Sequence, residues 1–316
     1  MFPIKPLLRW GLLSVTAVTL SLLVGCMGLF GSTPANLSVA PTHQDVAYIP
    51  TEGTQKLNLY LPAGDGPFPV VLNIHGGGFK FGDRSMVSAA LGQALLDGGY
   101  AIASVDYRLS GEATFPSAVQ DVKAAVRFLR ANAAAYKLDP DKIGAFGFSA
   151  GGNLASMLGT TGDVAEFDDP ALGNEGVSSR VQAVVDWYGP TDFSQMDAQA
   201  KAQGCGTSDQ KHGAADSFES LYLGAAVSES PDLVQKANPI PYITPDDPPF
   251  LLQKGDQDCT VPVGQSQLLA DALQAAALDV QFDLLSGVGH GDSGTPVFES
   301  ADNVKVVIVF LNTKVK

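Results

Sequence analysis

The chain has 316 residues, 45% of them hydrophobic and 16% charged, with a formal net charge of −14. That length and composition allow one large α/β domain or two small ones around a real core. The negative balance, with no basic run or aromatic–basic cluster, argues against nucleic acid as a partner, because phosphate would be repelled overall.

At the N-terminus, Lys5 and Arg9 precede an uncharged apolar run from Trp10 to Val24, closed by Gly25-Cys26. That is the architecture of a secretory signal. Leu23-Val24-Gly25-Cys26 resembles a bacterial lipobox, which implies cleavage after residue 25, a lipid on Cys26 and a place in the bacterial cell envelope. Loss of Lys5 and Arg9 would take the charge from −14 to −16. An uncleaved anchor over Trp10 to Phe30 is the competing reading; the small Gly25 before Cys26 favours cleavage. Residues 26–42 read as a tether, and 43–316 as the folded domain. With Cys26 acylated, Cys205 and Cys259 remain as an even pair in an oxidising compartment, so a disulfide between them is expected. Closing so long a loop would contribute about 4 kcal/mol.

Asp45 to Tyr48 and Lys56 to Leu61 read as two strands of a hairpin turning at Thr51-Glu52-Gly53. Val70 to Ile74 is a buried strand, Val87 to Leu96 a helix stopped by Gly98-Gly99, and Tyr100 to Asp106 another strand. Val119, Val122, Val126, Leu129, Ala133 and Tyr136 recur at helical spacing, with Pro116 near the start and Asp139-Pro140 beyond the end. Lys142 to Phe146 predicts a strand and Gly152 to Leu158 a helix. Val181 to Trp187, Phe250 to Gln253 and Val280 to Leu285 are strands, and Leu268 to Ala276 is a helix. Val304 to Leu311 closes the chain as an amphipathic helix, although its valines also allow a strand. Strands and helices alternating from Val70 onward predict a mostly parallel sheet covered on both faces. Residues 189–249, rich in Pro, Gly, Gln, Asp and Ser, interrupt that order and suit a lid or pocket wall.

Gly147-Phe148-Ser149-Ala150-Gly151 reads G-x-S-x-G between a strand and a helix. It fits either an ordinary turn or a strained elbow that lifts a nucleophilic hydroxyl above the sheet. Such a hydroxyl needs a base. Of four histidines, His43 lies at the tether, His212 in the polar insertion, where a surface position is expected, and His75 before a glycine run. His290, in a loop after the last strand, is left as the base at the carboxyl edge of the sheet. A carboxylate must hold its tautomer; Asp258 is the first choice and Asp256 the second. The order Ser149, Asp258, His290 suits such a fold. Gly76-Gly77-Gly78 after the Val70 strand offers bare amides, so Gly77, Gly78 and Ala150 are the expected oxyanion donors. No phosphate-loop or dinucleotide motif is present, and the chemistry needs no metal or organic cofactor. Arg108 with Asp106 and Tyr107 reads as a brace. Trp187 and Tyr188 fit an acyl pocket or the core equally.

With these residues in view, the chain resembles the α/β-hydrolases, and within them the hormone-sensitive-lipase-like carboxylesterases. The likeness rests on His75-Gly76-Gly77-Gly78-Phe79, Asp106-Tyr107-Arg108-Leu109, Phe115-Pro116 with Asp121, the serine motif through Gly152, Asp258 before Val261-Pro262, and Gly289-His290-Gly291. It is similar in particular to the bifunctional feruloyl and acetyl-xylan esterases, which implies cleavage of small acyl groups from polysaccharides. Ser110-Gly111-Glu112 and the insertion depart from the pattern of lipase-like relatives. Amide hydrolysis on the same residues, or a non-catalytic binding protein, are the alternatives the sequence leaves open.

Overall fold

The computed structural model of the chain describes residue 1 and residues 36–51, 53–291 and 297–316. The expected signal peptide, Cys26 and the tether up to residue 35 lie outside these residues. The chain divides into two units, Met1–Phe30 and Gly31–Lys316, and the fold belongs to the second.

The strands are β1 (His43–Ala47), β2 (Lys56–Tyr60), β3 (Phe68–Ile74), β4 (Ala101–Val105), β5 (Leu138–Phe148), β6 (Ala183–Trp187), β7 (Phe250–Gly255) and β8 (Val280–Leu285). They form one sheet in the order β1-β2-β4-β3-β5-β6-β7-β8. β1 and β2 are antiparallel to their neighbours, and β4 through β8 run parallel. Their near-continuous apolar sequences follow from burial on two faces. Val70, Leu72 and Ile74 of β3 and Phe250 and Leu252 of β7 join one core cluster, while Val71 and Leu251 between them join the other. The first face is covered by α2 (Ser117–Ala131), α3 (Ala150–Thr160) and α7 (Val263–Ala275), the second by α1 (Ala89–Asp97) and α8 (Ala301–Lys314). On α2 the stripe Val119, Val122, Val126 and Leu129 is at most 1% exposed; each such side chain contributes about 1.5–3 kcal/mol by leaving water.

The predicted elements are present with shifted ends. The α2 stripe does not run on to Tyr136 as one helix. Asn132 caps the helix, its backbone and side-chain amides both donating to the Phe128 carbonyl, at 3.0 and 2.9 Å. Ala133–Tyr136 then forms a 3₁₀ turn that ends at Lys137 with φ +58°. The last segment is helical, not a strand. The expected tether is partly fastened: Asn36 bridges to Ser88, and the Leu37 amide donates to the Val87 carbonyl at 2.8 Å. His43 belongs to β1, its ring edge-on to Tyr136 at 5.1 Å, and not to a linker.

The insertion carries α4 (Met196–Gln203), α5 (Phe218–Leu223) and α6 (Pro231–Lys236). Its scattered apolar residues Phe193, Met196, Tyr222, Leu223 and Val234 are buried in the main core. The sheet order reverses between β3 and β5, and the carboxyl ends of strands beside such a reversal make a natural crevice.

Candidate active site

β5 ends at Phe148 and α3 begins at Ala150, so Ser149 alone turns the chain, with φ 54° and ψ −123°. That is a strained conformation for a residue with a side chain, and it persists only where the surroundings impose it. The Ser149 amide donates to the Trp187 carbonyl at 2.9 Å. A Cβ on Gly147 would lie 2.0 Å from the Gly151 carbonyl oxygen, and one on Gly151 2.1 Å from that of Ile74. Both glycines of the motif are therefore required by the close approach of strand and helix.

His290 follows β8, and two backbone hydrogen bonds hold its loop against the one after β7. The amide of Asp256 donates to the Leu285 carbonyl at 3.0 Å and that of Gln257 to the Val288 carbonyl at 2.8 Å. The imidazole then lies between the two partners expected from the sequence. Its Nε2 is 2.8 Å from Ser149 Oγ and its Nδ1 2.8 Å from Asp258 Oδ2. An ionised carboxylate only accepts, so Nδ1 carries the hydrogen and Nε2 is free to accept from the hydroxyl.

Asp258 is completely buried, and each oxygen is engaged. Oδ1 accepts from the amides of Thr260 and Val261, both at 2.9 Å, and Oδ2 accepts from Lys254 Nζ at 2.6 Å as well as from His290. Burial by itself would raise this carboxyl. The opposing charges and hydrogen bonds of His290 and Lys254 outweigh it and hold the group well below the usual carboxylate range. Asp256, the second choice, has another post: it accepts from the Gly287 amide at 2.7 Å and from Ser286 Oγ at 3.1 Å, bracing the turn after β8. Cys259 is bonded to Cys205 with S–S 2.07 Å, so the loop bearing Asp258 is tied to the insertion.

The glycine run after β3 also stands at this edge. Gly77 has φ +112°, and a Cβ there would fall 2.2 Å from the Phe81 carbonyl oxygen. Lys80 and Phe81 donate to the Gly77 carbonyl at 3.1 and 3.0 Å, folding the loop back on itself. Among the described residues none accepts a hydrogen bond from the amides of Gly77, Gly78 or Ala150. His75 supports the loop from beneath. Nδ1 donates to the Gly76 carbonyl at 2.8 Å, and the ring stacks on Tyr107 at 4.4 Å. Burial pushes its pKa down to about 4, so the ring is neutral.

The insertion packs against this loop. The Phe218 ring lies where a Cβ on Gly78 would meet it at 2.8 Å, and Tyr222 stacks on Phe79 at 3.9 Å. His212, expected at the surface, is instead largely covered, with Nδ1 3.0 Å from Glu219 Oε1; α5 packs over it. Arg108 makes a forked pair with the buried Asp121, and Arg84 pairs with Asp106, so both arginines are braces. Trp187 is a core residue whose indole donates to Gln253 Oε1 at 2.7 Å. Tyr188 meets the His290 ring edge-on at 4.8 Å. With Phe146, Phe148 and Met86 these two also line a cavity of about 180 Å³.

Lys254 is a neighbour of the site that no motif in the sequence marks. The signal was its position: it alternates with Phe250 and Leu252 on a face that packs into the core, where a lysine needs a partner.

A family profile described as BD-FAE matches residues 57–273. Esterase LipC of Mycobacterium tuberculosis is 29% identical over 247 residues, 78% of this chain and 58% of its own length. Esterase LipQ of the same organism is 29% identical over 225 residues, 70% and 50% of the two chains. The chain spans about half the length of the curated relatives it matches. Among solved structures, a truncated form of carbohydrate esterase from gut microbiota aligns with a TM-score of 0.78 at 30% identity, covering 89% of this chain and 98% of that one. A bifunctional GH43-CE protein of Bacteroides eggerthii aligns with a TM-score of 0.77 at 35% identity, covering 86% and 35%.

Proposed function

Because the chain belongs to the BD-FAE family and has the α/β-hydrolase fold, we propose that it is a serine carboxylesterase. The observation that carries this reading is the unbroken hydrogen-bond chain Ser149–His290–Asp258 at the strained turn. Ser149 Oγ attacks the ester carbonyl while His290 Nε2 takes its proton. The tetrahedral oxyanion is met by the amides of Gly77, Gly78 and Ala150, which have no acceptor of their own among the described residues. His290 returns the proton to the leaving alcohol, and water activated by the same imidazole hydrolyses the acyl-enzyme. Asp258 fixes the tautomer and offsets the charge that forms on the ring.

The substrates proposed are esters of small acids, acetyl or feruloyl, on a carbohydrate. The aromatic-lined cavity beside Phe148 and Tyr188 is of a size for a short or single-ring acyl group, and a solved neighbour is a carbohydrate esterase. Anchoring to the cell envelope through lipidated Cys26 is part of the same proposal. It is supported by the N-terminal pattern and by the Cys205–Cys259 pairing, which suits an oxidising compartment. Radiolabelled acyl chains retained on wild type and lost from Cys26→Ala would test the anchor; equal labelling would remove it.

The activity is tested with nitrophenyl esters of rising chain length, methyl ferulate and acetylated xylan, alongside the matching arylamide. Turnover is expected to be fastest on short acyl esters and to fall on the order of 10⁶-fold in Ser149→Ala. Faster arylamide cleavage, or activity surviving in Ser149→Ala, would overturn the assignment.

A further inference from the structure

Asp258 Oδ2 accepts two hydrogen bonds, from His290 Nδ1 at 2.8 Å and from Lys254 Nζ at 2.6 Å. Lys254 and Asp258 are both completely buried. We propose that Lys254 is a positioning residue that acts through Asp258 to set how readily His290 takes up a proton, keeping the site active at lower pH than a lone carboxylate would allow. This rests on the reading of Ser149, His290 and Asp258 given above.

The effect is electrostatic. A carboxylate beside an imidazole stabilises the protonated ring, which favours a strong base but also favours its protonation before substrate arrives. A cation on the same carboxylate oxygen cancels part of that field. Around the buried Lys254–Asp258 pair the cancellation is felt strongly, because there is little solvent to screen it. The ammonium is also fixed on its other side, donating to the Val261 carbonyl, so it holds the loop that carries Asp258. The charged and titratable groups around it among the described residues are few. Asp258 lies on its own loop, His290 is reached through that carboxylate, and Asp186 comes from β6. Asp186 is occupied by Ser156 Oγ of α3 at 2.7 Å and by the Gly189 amide at 2.8 Å. Burial draws the Lys254 ammonium down, and Asp258 followed by Asp186 opposes that. Two acceptors on Nζ and no donor aimed at it fit the protonated amine.

The test is the pH dependence of kcat/KM on a short-chain nitrophenyl ester, with the rate of fluorophosphonate labelling of Ser149 measured in parallel. Wild type is compared with Lys254→Gln, Lys254→Met and Lys254→Arg. Loss of the charge stabilises the protonated ring, so the acid limb of both profiles is expected to move upward by roughly one pH unit in the Gln and Met variants. It is expected to stay at the wild-type position in the Arg variant. An unmoved limb in folded Gln or Met protein overturns the inference. So does loss of near-UV circular dichroism in both, which would assign Lys254 a purely structural role. Wild type that turns over no ester and is not labelled at Ser149 would instead overturn the reading of the site itself, and the inference with it.

Discussion

Asp256 and Asp258 stand two residues apart in one acidic loop, yet the backbone turns between them and gives them different neighbours. One braces the Ser286–Gly287 turn near solvent; the other is sealed under His290 with Lys254 behind it. Exchanging the buried one for asparagine leaves the shape but lets the amide present its NH₂ to Nδ1, favouring the wrong tautomer. Asp258→Asn is therefore expected to lower kcat by roughly 10⁴-fold. Asp256→Asn is expected to keep most of the activity, because it touches neither the ring nor the hydroxyl. Steady-state kinetics on the two purified variants check this, and the opposite ranking would move the orienting role to Asp256. Both aspartates were visible in the sequence as candidates. What separated them is the direction of each side chain after β7, which spacing alone does not encode.

At the scale of elements, the site is an assembly of strand ends. The turn after β5 lifts Ser149, the loop after β3 brings the glycine amides, and the loops after β7 and β8 are laced together before His290 is placed. These elements were legible because each rests on a local rule: apolar runs bounded by glycine, or a helical stripe ended by a turn. The ends of the elements were less so, as α2 shows, where the helix gives way to a 3₁₀ turn at Asn132 although its apolar pattern continues. The β3 loop makes a sharp prediction. Gly77→Ala would place a methyl group 2.2 Å from the Phe81 carbonyl at a φ of +112°, so the loop must open and its amides lose their alignment. A loss of 10²–10³-fold or so in kcat is expected, with little change in KM for a small ester. An active Gly77→Ala variant with wild-type kcat would exclude this amide from the oxyanion site.

For the molecule as a whole, buried titrating groups couple the fold to pH. His75 is neutral in the folded protein, its pKa pushed down to about 4 by burial, whereas in the unfolded chain it takes up a proton below about 6.5. The unfolded state therefore binds more protons between those values, and this group's contribution to stability falls as pH falls through that window. The full effect is about 3 kcal/mol. Asp186, pushed up to about 6 by burial, acts in the opposite sense: the folded state binds the extra proton, so its share of stability rises as pH falls. The informative quantity is thus the difference between wild type and His75→Gln. The advantage of the variant is expected to grow from pH 7 to pH 4.5 in urea titrations, and a constant difference would show that His75 is not held neutral. By itself the sequence determined the alternating strands and helices and the short set of candidates Ser149, His290, Asp256 and Asp258, because these follow from burial, backbone sterics and the few residue types able to serve as nucleophile, base and carboxylate. Only the tertiary structure decided which aspartate reaches His290, that His212 is covered by the insertion, and that Lys254 shares an oxygen with His290. Each of these depends on contacts between segments far apart in the chain, and their geometry is fixed by packing and not by any local pattern.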